Sequence, residues 1–305
     1  GKRAVSRWLL FDAPKREIDD RAIIQDLRDE AWERVQKVGF ALAFRLDGQG
    51  KLRLDGDQCT RLFVYFPTDL NTGLRYRIHG DFYIDAARKQ VGDRAYNIWL
   101  AGEVAAFVTS TILPELKDRY PGDGRVVQVL APCAEGDAFA ASLQHAILEQ
   151  LKICSFVPEI EGRYRSPERI MLAPPGAAVD LAAFHRFFSP DALCRLHGYR
   201  WFPIPEIERD SQAVEFLKRL GARQLDFPDL FRLLDGRDVV GQSDAYPALY
   251  RFLWEWREQI DPEQREQFSS ALANCCSVVV DDGSWTEPHD RLYHAKLRQE
   301  TPTMP

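Results

Sequence analysis

Five side chains in one stretch offer a recognisable chemistry. Residues 72–90 read Thr-Gly-Leu-Arg-Tyr-Arg-Ile-His-Gly-Asp-Phe-Tyr-Ile-Asp-Ala-Ala-Arg-Lys-Gln. Leu74, Tyr76 and Ile78 alternate with Arg75, Arg77 and His79, so a strand here directs the basic three to one face. The run ends on Arg88-Lys89, just before a break at Gly92. A guanidinium offers paired donors in a fixed plane, which suits an anion or a phosphate group. The same row also fits a solvated sheet face.

Other catalytic patterns are missing from the sequence. It holds no GxxxxGK phosphate loop ending in Ser or Thr, no HExxH and no GxSxG. Asp47-Gly48-Gln49-Gly50 lacks dinucleotide-fingerprint spacing and precedes a strand pattern, so it reads as a turn. Cys59, Cys133, Cys154, Cys194, Cys275 and Cys276 include no CxxC pair, and their expected state is that of buried free thiols in a reducing compartment. No metal-ligand spacing links Cys275 with His289 or His294.

The elements that position the basic row are visible as periodicities. Residues 8–11 and 61–66 are short apolar runs of strand length, and residues 40–54 read as a hairpin around the Asp47–Gly50 turn. Ile24, Leu27, Ala31, Val35 and Val38 recur at helical spacing, which predicts one amphipathic helix over residues 17–38. Ile98, Ala101, Ala105, Val108, Ile112 and Leu116 predict a long helix over 96–116.

Beyond Pro121-Gly122-Asp123-Gly124 the chain becomes helix-rich, so the predicted domains are 1–122 and 123–305. Helices are expected over 137–153, after an Asp210-Ser211 cap, from Tyr246-Pro247, and again from Asp261-Pro262. The predicted fold class is α+β: a mixed sheet with helices, then a mainly helical part carrying small hairpins.

That second part contains a repeat. Cys154-Ser155-Phe156-Val157 leads to Gly162-Arg163-Tyr164-Arg165-Ser166-Pro167, and Cys276-Ser277-Val278-Val279 leads to Gly283-Ser284-Trp285-Thr286-Glu287-Pro288. The two prolines lie 121 positions apart. Each copy reads as a helix followed by a small hairpin; chance likeness of two short hairpins is the competing account.

With 305 residues, 45% hydrophobic and 28% charged, the chain has the composition of a globular protein of one large or two smaller domains. A net charge of −6 disfavours a surface tuned throughout to nucleic acid, though a local basic patch survives that average. No run approaches the roughly 18 apolar residues of a membrane span, and no signal-peptide core stands at the N-terminus, so a cytoplasmic location without a membrane partner is expected. The chain opens on Gly1 rather than Met, as an excised fragment or a tag remnant would.

The order of residues around the basic row resembles a known family. Leu62-Phe63-Val64-Tyr65-Phe66-Pro67-Thr68, Thr72-Gly73-Leu74, His79-Gly80-Asp81-Phe82, Arg88 and then Asn97 at the head of a long helix is similar to the segment following the nucleotide-binding domain in sacsin-like ATPases. These belong to the chaperone, gyrase, histidine-kinase and MutL superfamily. Ala87 departs from the pattern, which has a hydroxyl residue before the arginine. The likeness covers residues 35–120, and more weakly 150–293.

The resemblance implies that residues 1–122 are a transducer or middle domain coupling ATP hydrolysis elsewhere to domain movement. By matching position, Arg88 would contact the γ-phosphate of a neighbouring ATP, with Lys89 beside it; a structural ion pair is the other role open to Arg88. The superfamily's nucleotide site needs an acidic residue and an asparagine on one helix and an Asp-x-Gly-x-Gly loop, a combination this sequence lacks. ATP and Mg would therefore sit in the parent assembly, with no cofactor in this chain. The implied partners are an upstream nucleotide-binding domain and a protein client or defence-system subunit, with a homodimer possible. A protein-interaction scaffold without ATPase activity is the second expectation and a DNA-associated ATPase module the third.

Overall fold

The sheet that carries the basic row is mixed, in strand order β1-β4-β7-β5-β6. In the computed structural model, residues 6–25, 27, 30–54, 60–84, 91–92, 94–134, 136, 138–174, 187, 201–235, 246–274, 278–279 and 285–286 are described. The fold is α+β. Two compact units divide the chain: Gly1–Glu168 with Asp210–Ala222, and Arg169–Arg209 with Arg223–Pro305.

The first elements are β1 (Arg7–Asp12), β2 (Arg16–Glu17), α1 (Ala22–Gln25), α2 (Glu30–Glu33), β3 (Lys37–Val38), β4 (Phe40–Leu46), β5 (Arg61–Val64), β6 (Phe66–Asn71) and β7 (Arg77–Gly80). Then come α3 (Ala95–Phe107), a π-helical turn (Val108–Ile112), α4 (Leu113–Arg119), α5 (Arg125–Leu130), α6 (Ala138–Leu151), β8 (Val157–Pro158) and β9 (Tyr164–Arg165). They continue with β10 (Met171–Leu172), α7 (Pro205–Glu208), α8 (Ser211–Arg219), β11 (Arg223–Gln224) and α9 (Phe227–Asp235). The last are α10 (Tyr246–Gln259), α11 (Pro262–Ala273), β12 (Val278–Val279) and β13 (Trp285–Thr286).

In the first unit, alternation decides which sheet face is dry. Leu42, Phe44, Leu62, Tyr76 and Ile78 are buried on the inner face. Phe40 meets Phe107 of α3 edge to face, and Phe82 meets Phe139 of α6. Tyr76 stacks on Phe44 with ring centroids 4.8 Å apart, and its hydroxyl is buried without a hydrogen bond among the described residues. Burial also pushes its ionisation far above the ordinary tyrosine range. Because a buried hydroxyl without a partner is destabilising, Tyr76→Phe is expected to stabilise the protein by about 1 kcal/mol, read from urea unfolding.

The helix expected over residues 17–38 is not formed. Ile18 N–H donates to Gln36 O at 3.0 Å and β2 pairs with β3, so the ends of the segment close as a hairpin around two short helices. Asp20 accepts from Ala22 N–H at 2.9 Å and starts α1. Ile24, Leu27 and Val38 still point inward; one-sided burial was legible, the continuity of the helix was not.

The long helix does form with Ala101, Ala105, Val108, Ile112 and Leu116 buried as the spacing requires; Ile98 is exposed, and Tyr96, Asn97, Leu100 and Val104 are buried as well. The π turn lets Thr109 donate to Ala105 O and Ala106 O. The Pro121-Gly122 turn, the expected domain boundary, lies inside the first unit. Tyr120 donates to Gly50 O at 3.0 Å, and Arg125 bonds the carboxylate of Asp123. Burial opposes ionisation of Asp123, but these bonds outweigh it and hold the carboxyl below its usual range.

The second unit has its own core. Leu249, Leu253 and Trp256 form the buried stripe of α10, continued by Ile260 just past its end, and Phe227, Phe231, Trp256 and Phe268 pack ring against ring. The 121-residue repeat reappears as strand register. Val157 pairs with Arg165 and Pro158 with Tyr164; 121 positions on, Val278 pairs with Thr286 and Val279 with Trp285. A helix precedes each hairpin, α6 the first and α11 the second. Matching register at one offset favours a true repeat over chance similarity.

Candidate functional site

The strand end that leads to Arg88-Lys89 is held by main-chain and side-chain bonds together. Asp81 N–H donates to Gly39 O at 3.1 Å, and Asp81 Oδ2 accepts from Gly39 N–H at 2.8 Å, which ties the exit of β7 to the start of β4. The Tyr96 hydroxyl donates to Asp81 O at 2.7 Å. Its burial drives the phenol ionisation well above the ordinary range, so it stays a donor.

Beyond Asp81 a single buried amide closes the stem of the segment. Asn97 is fully buried in the first turn of α3. Its Oδ1 accepts from Tyr83 N–H at 2.9 Å, and its Nδ2 donates to both Tyr83 O and Gly92 O at 2.9 Å. The chain therefore leaves Tyr83 and returns at Gly92 under the control of one side chain. Trp32 sits edge to face against both Tyr83 and Tyr96, at 5.7 and 4.9 Å between centroids. Arg88 and Lys89 themselves lie outside the described residues.

The basic row is spread over three environments. Arg75 is half-buried in the bend before β7, and its Nε makes no hydrogen bond among the described residues. Arg77 is exposed on β7 with its guanidinium 4.2 Å over the Trp8 ring and 5.4 Å from the Phe63 ring centre. His79 is exposed; its Nε2 accepts from Tyr65 N–H at 3.3 Å. Arg77 and His79 share the outer sheet face, as the alternation requires. Their aromatic neighbours Trp8 and Phe63 come from β1 and β5, and only strand order makes them neighbours.

The remaining motif residues are architectural. Thr68 Oγ1 donates to Leu62 O at 3.0 Å and accepts from Leu70 N–H. Thr72 Oγ1 donates to Thr60 O at 2.8 Å, Gln144 Nε2 donates to Thr72 O and to Ala134 O, and Cys133 N–H donates to Gly73 O at 2.8 Å. The Thr72-Gly73 pair is thus the joint between the sheet and the segment leading into α6.

Cys133 and Cys154 are free thiols, and burial pushes the Cys154 thiol up despite Lys117 nearby. Cys59, Cys194, Cys275 and Cys276 lie outside the described residues. Among the described residues no group of three His, Cys, Asp or Glu side chains could hold a metal ion, and no helix is long and apolar enough to cross a membrane. Nothing similar to this chain was found among protein families, curated proteins or solved structures.

Proposed function

We propose that this chain is the transducer-like part, with a helical extension, of a sacsin-like ATP-driven machine that remodels a protein client or serves a defence system. The observation that supports this reading is the Asn97 clamp. It closes the stem of residues 84–91 on Tyr83 and Gly92, so the chain entering and leaving the Arg88-Lys89 segment is positioned by a rigid sheet and helix. A basic group on such a stem can respond to a phosphate on a neighbouring domain and pass its loss on hydrolysis to the sheet. ATP and Mg would be bound by that neighbouring domain, and this chain would supply a charge to the transition state rather than a pocket for the nucleotide.

The test uses the polypeptide or complex that supplies the nucleotide site. Arg88→Ala is expected to lower kcat for ATP by about 100-fold while KM changes only a few-fold, because the contact is made to charge that develops in transfer. Lys89→Ala should have the smaller effect. Unchanged turnover in Arg88→Ala removes this residue from the site, and a parent protein without any nucleotide domain leaves the scaffold reading in its place.

A further inference from the structure

One helix of the first unit is supplied from within the sequence of the second. The chain leaves the first unit between Glu168 and Arg169, returns between Arg209 and Asp210, and leaves again between Ala222 and Arg223. The short return holds α8 and the residues that cap it. Both of its ends are hydrogen-bonded around β10, a strand of the second unit. Before it, Glu208 Oε1 accepts from Ala173 N–H at 2.6 Å. After it, Arg223 N–H donates to Ile170 O at 3.1 Å and Leu225 N–H to Leu172 O at 2.9 Å, as β11 pairs with β10. Thus α8 is a loop of the second unit's chain that is folded onto the first.

Its seat is apolar. Ala213, Phe216, Leu217 and Leu220, at spacings i, i+3, i+4 and i+7, are buried, and the Phe216 ring meets that of Phe156, just before β8, at 6.3 Å between centroids. The ends of the helix are closed from within. Asp210 accepts from Gln212 and Ala213 N–H, and the left-handed Gly221, at φ 100, lets Ala222 N–H donate to Leu217 O at 2.9 Å. Along one side the seat is unfilled: a cleft of about 250 Å³ lies between Ser211, Glu215 and Arg219 of α8 and the segment 132–134. A helix of nine residues is too short to hold by itself in water, so α8 keeps its shape only while seated.

We infer that α8 is a latch: it unseats and melts as one piece while the rest of the first unit stays folded, and seating it fastens the second unit's chain to the first. With α8 seated, all three chain crossings are fixed; with it released, residues 210–222 become a linker and only the Glu168–Arg169 crossing stays fixed. Three features single out this element. Its sequence is separated from the rest of its unit on both sides, its caps travel with it, and its hold is one apolar face beside an open cleft. Contiguous pieces with a small apolar hold are those that open below the free energy of global unfolding, and their ordering is a recurrent switch. The half-buried thiol of Cys133, which donates to Gly73 O at 3.3 Å, lines the far wall of that cleft, so release of α8 uncovers it. This inference does not depend on Arg88.

Native-state hydrogen exchange on the full chain, beside iodoacetamide labelling of Cys133, both read by mass spectrometry, tests it. The amides of residues 213–220 are expected to exchange together and faster than those of α6. Variants separate release of α8 from global unfolding, because a side chain that stays buried in both the seated and the released form cannot bias one against the other. Ile147→Val, on the buried face of α6, should speed exchange in α6 by about 5-fold and leave α8 exchange and Cys133 labelling unchanged. Asp210→Ala should speed α8 exchange and Cys133 labelling together by about 5-fold, and Phe216→Ala by about 100-fold. If Phe216→Ala does not fold, the milder Asp210→Ala decides. Amides of α8 that exchange no faster than those of α6, or that speed up with Ile147→Val, overturn the inference. So does α8 exchange unmoved by Asp210→Ala. Faster α8 exchange without faster Cys133 labelling would mean fraying in place, which overturns it as well.

Discussion

Asn97→Asp is expected to lower the unfolding free energy by about 4 kcal/mol at pH 7, enough to threaten the fold of a domain of ordinary stability. The reason is the direction of its three bonds. Nδ2 donates to the carbonyls of Tyr83 and Gly92, so the substitution aims a carboxylate oxygen at two carbonyl oxygens 2.9 Å away in a fully buried position. Two acceptors are left without a donor and a charge is left without a counterion. The pH dependence gives the mechanism its signature. Burial and the facing carbonyls raise the folded-state pKa of the introduced carboxyl above its unfolded value, so the folded state binds more protons. The deficit of the variant should therefore shrink as the pH is lowered from 7 towards 5, because a protonated acid can again donate one bond. Urea unfolding of both proteins at the two pH values measures this; a deficit that is small at pH 7, or that grows on acidification, would mean that Asn97 is not the clamp.

Gly73→Val is the second large effect, again about 4 kcal/mol, and arises from backbone rather than charge. Gly73 has φ 64, which itself disfavours a branched side chain by about 1–2 kcal/mol. A Cβ there would also collide with the carbonyl oxygen of Ala134 and with Nε2 of Gln144. Only the glutamine side chain can move aside, and moving it breaks the bonds it donates to Thr72 O and Ala134 O. Gly122→Ala separates the two contributions. Gly122 has a similar φ of 70 with open space around it, so its loss should cost only about 1 kcal/mol. Equal deficits for the two variants would show that conformation alone, and not the joint between sheet and α6, makes Gly73 indispensable.

These two positions also change how the sequence motif is understood. Thr68, Thr72, Gly73, Asp81 and Asn97 each have a structural task in the first unit, made of hydrogen bonds to main chain or of space that only glycine leaves. The motif therefore reports a scaffold, and the phosphate contact proposed for Arg88 and Lys89 is separate from it.

What the sequence determined by itself was whatever depends on spacing along the chain. Alternation placed Arg77 and His79 on the sheet face away from Tyr76 and Ile78, because the side-chain period of a strand is fixed at two. Four-residue spacing found α6, Asp210 announced the cap of α8 by accepting from Gln212 and Ala213 N–H, and the 121-residue offset foretold two hairpins, whose registers match. Tertiary structure decided whatever depends on neighbours distant in sequence. It replaced the helix expected over 17–38 by a hairpin-bounded pair, since β2 and β3 pair across the segment, and it kept the Pro121-Gly122 turn within the first unit, where the Tyr120 hydroxyl donates to Gly50 O and Gly122 N–H donates to the Tyr164 hydroxyl. It also set Trp8 and Phe63 beside Arg77 by placing β7 between β4 and β5. Local periodicity encodes which face a side chain takes; which strand lies alongside is settled only when the whole sheet is buried on one face, and that choice turned a row of basic residues into an aromatic and cationic surface.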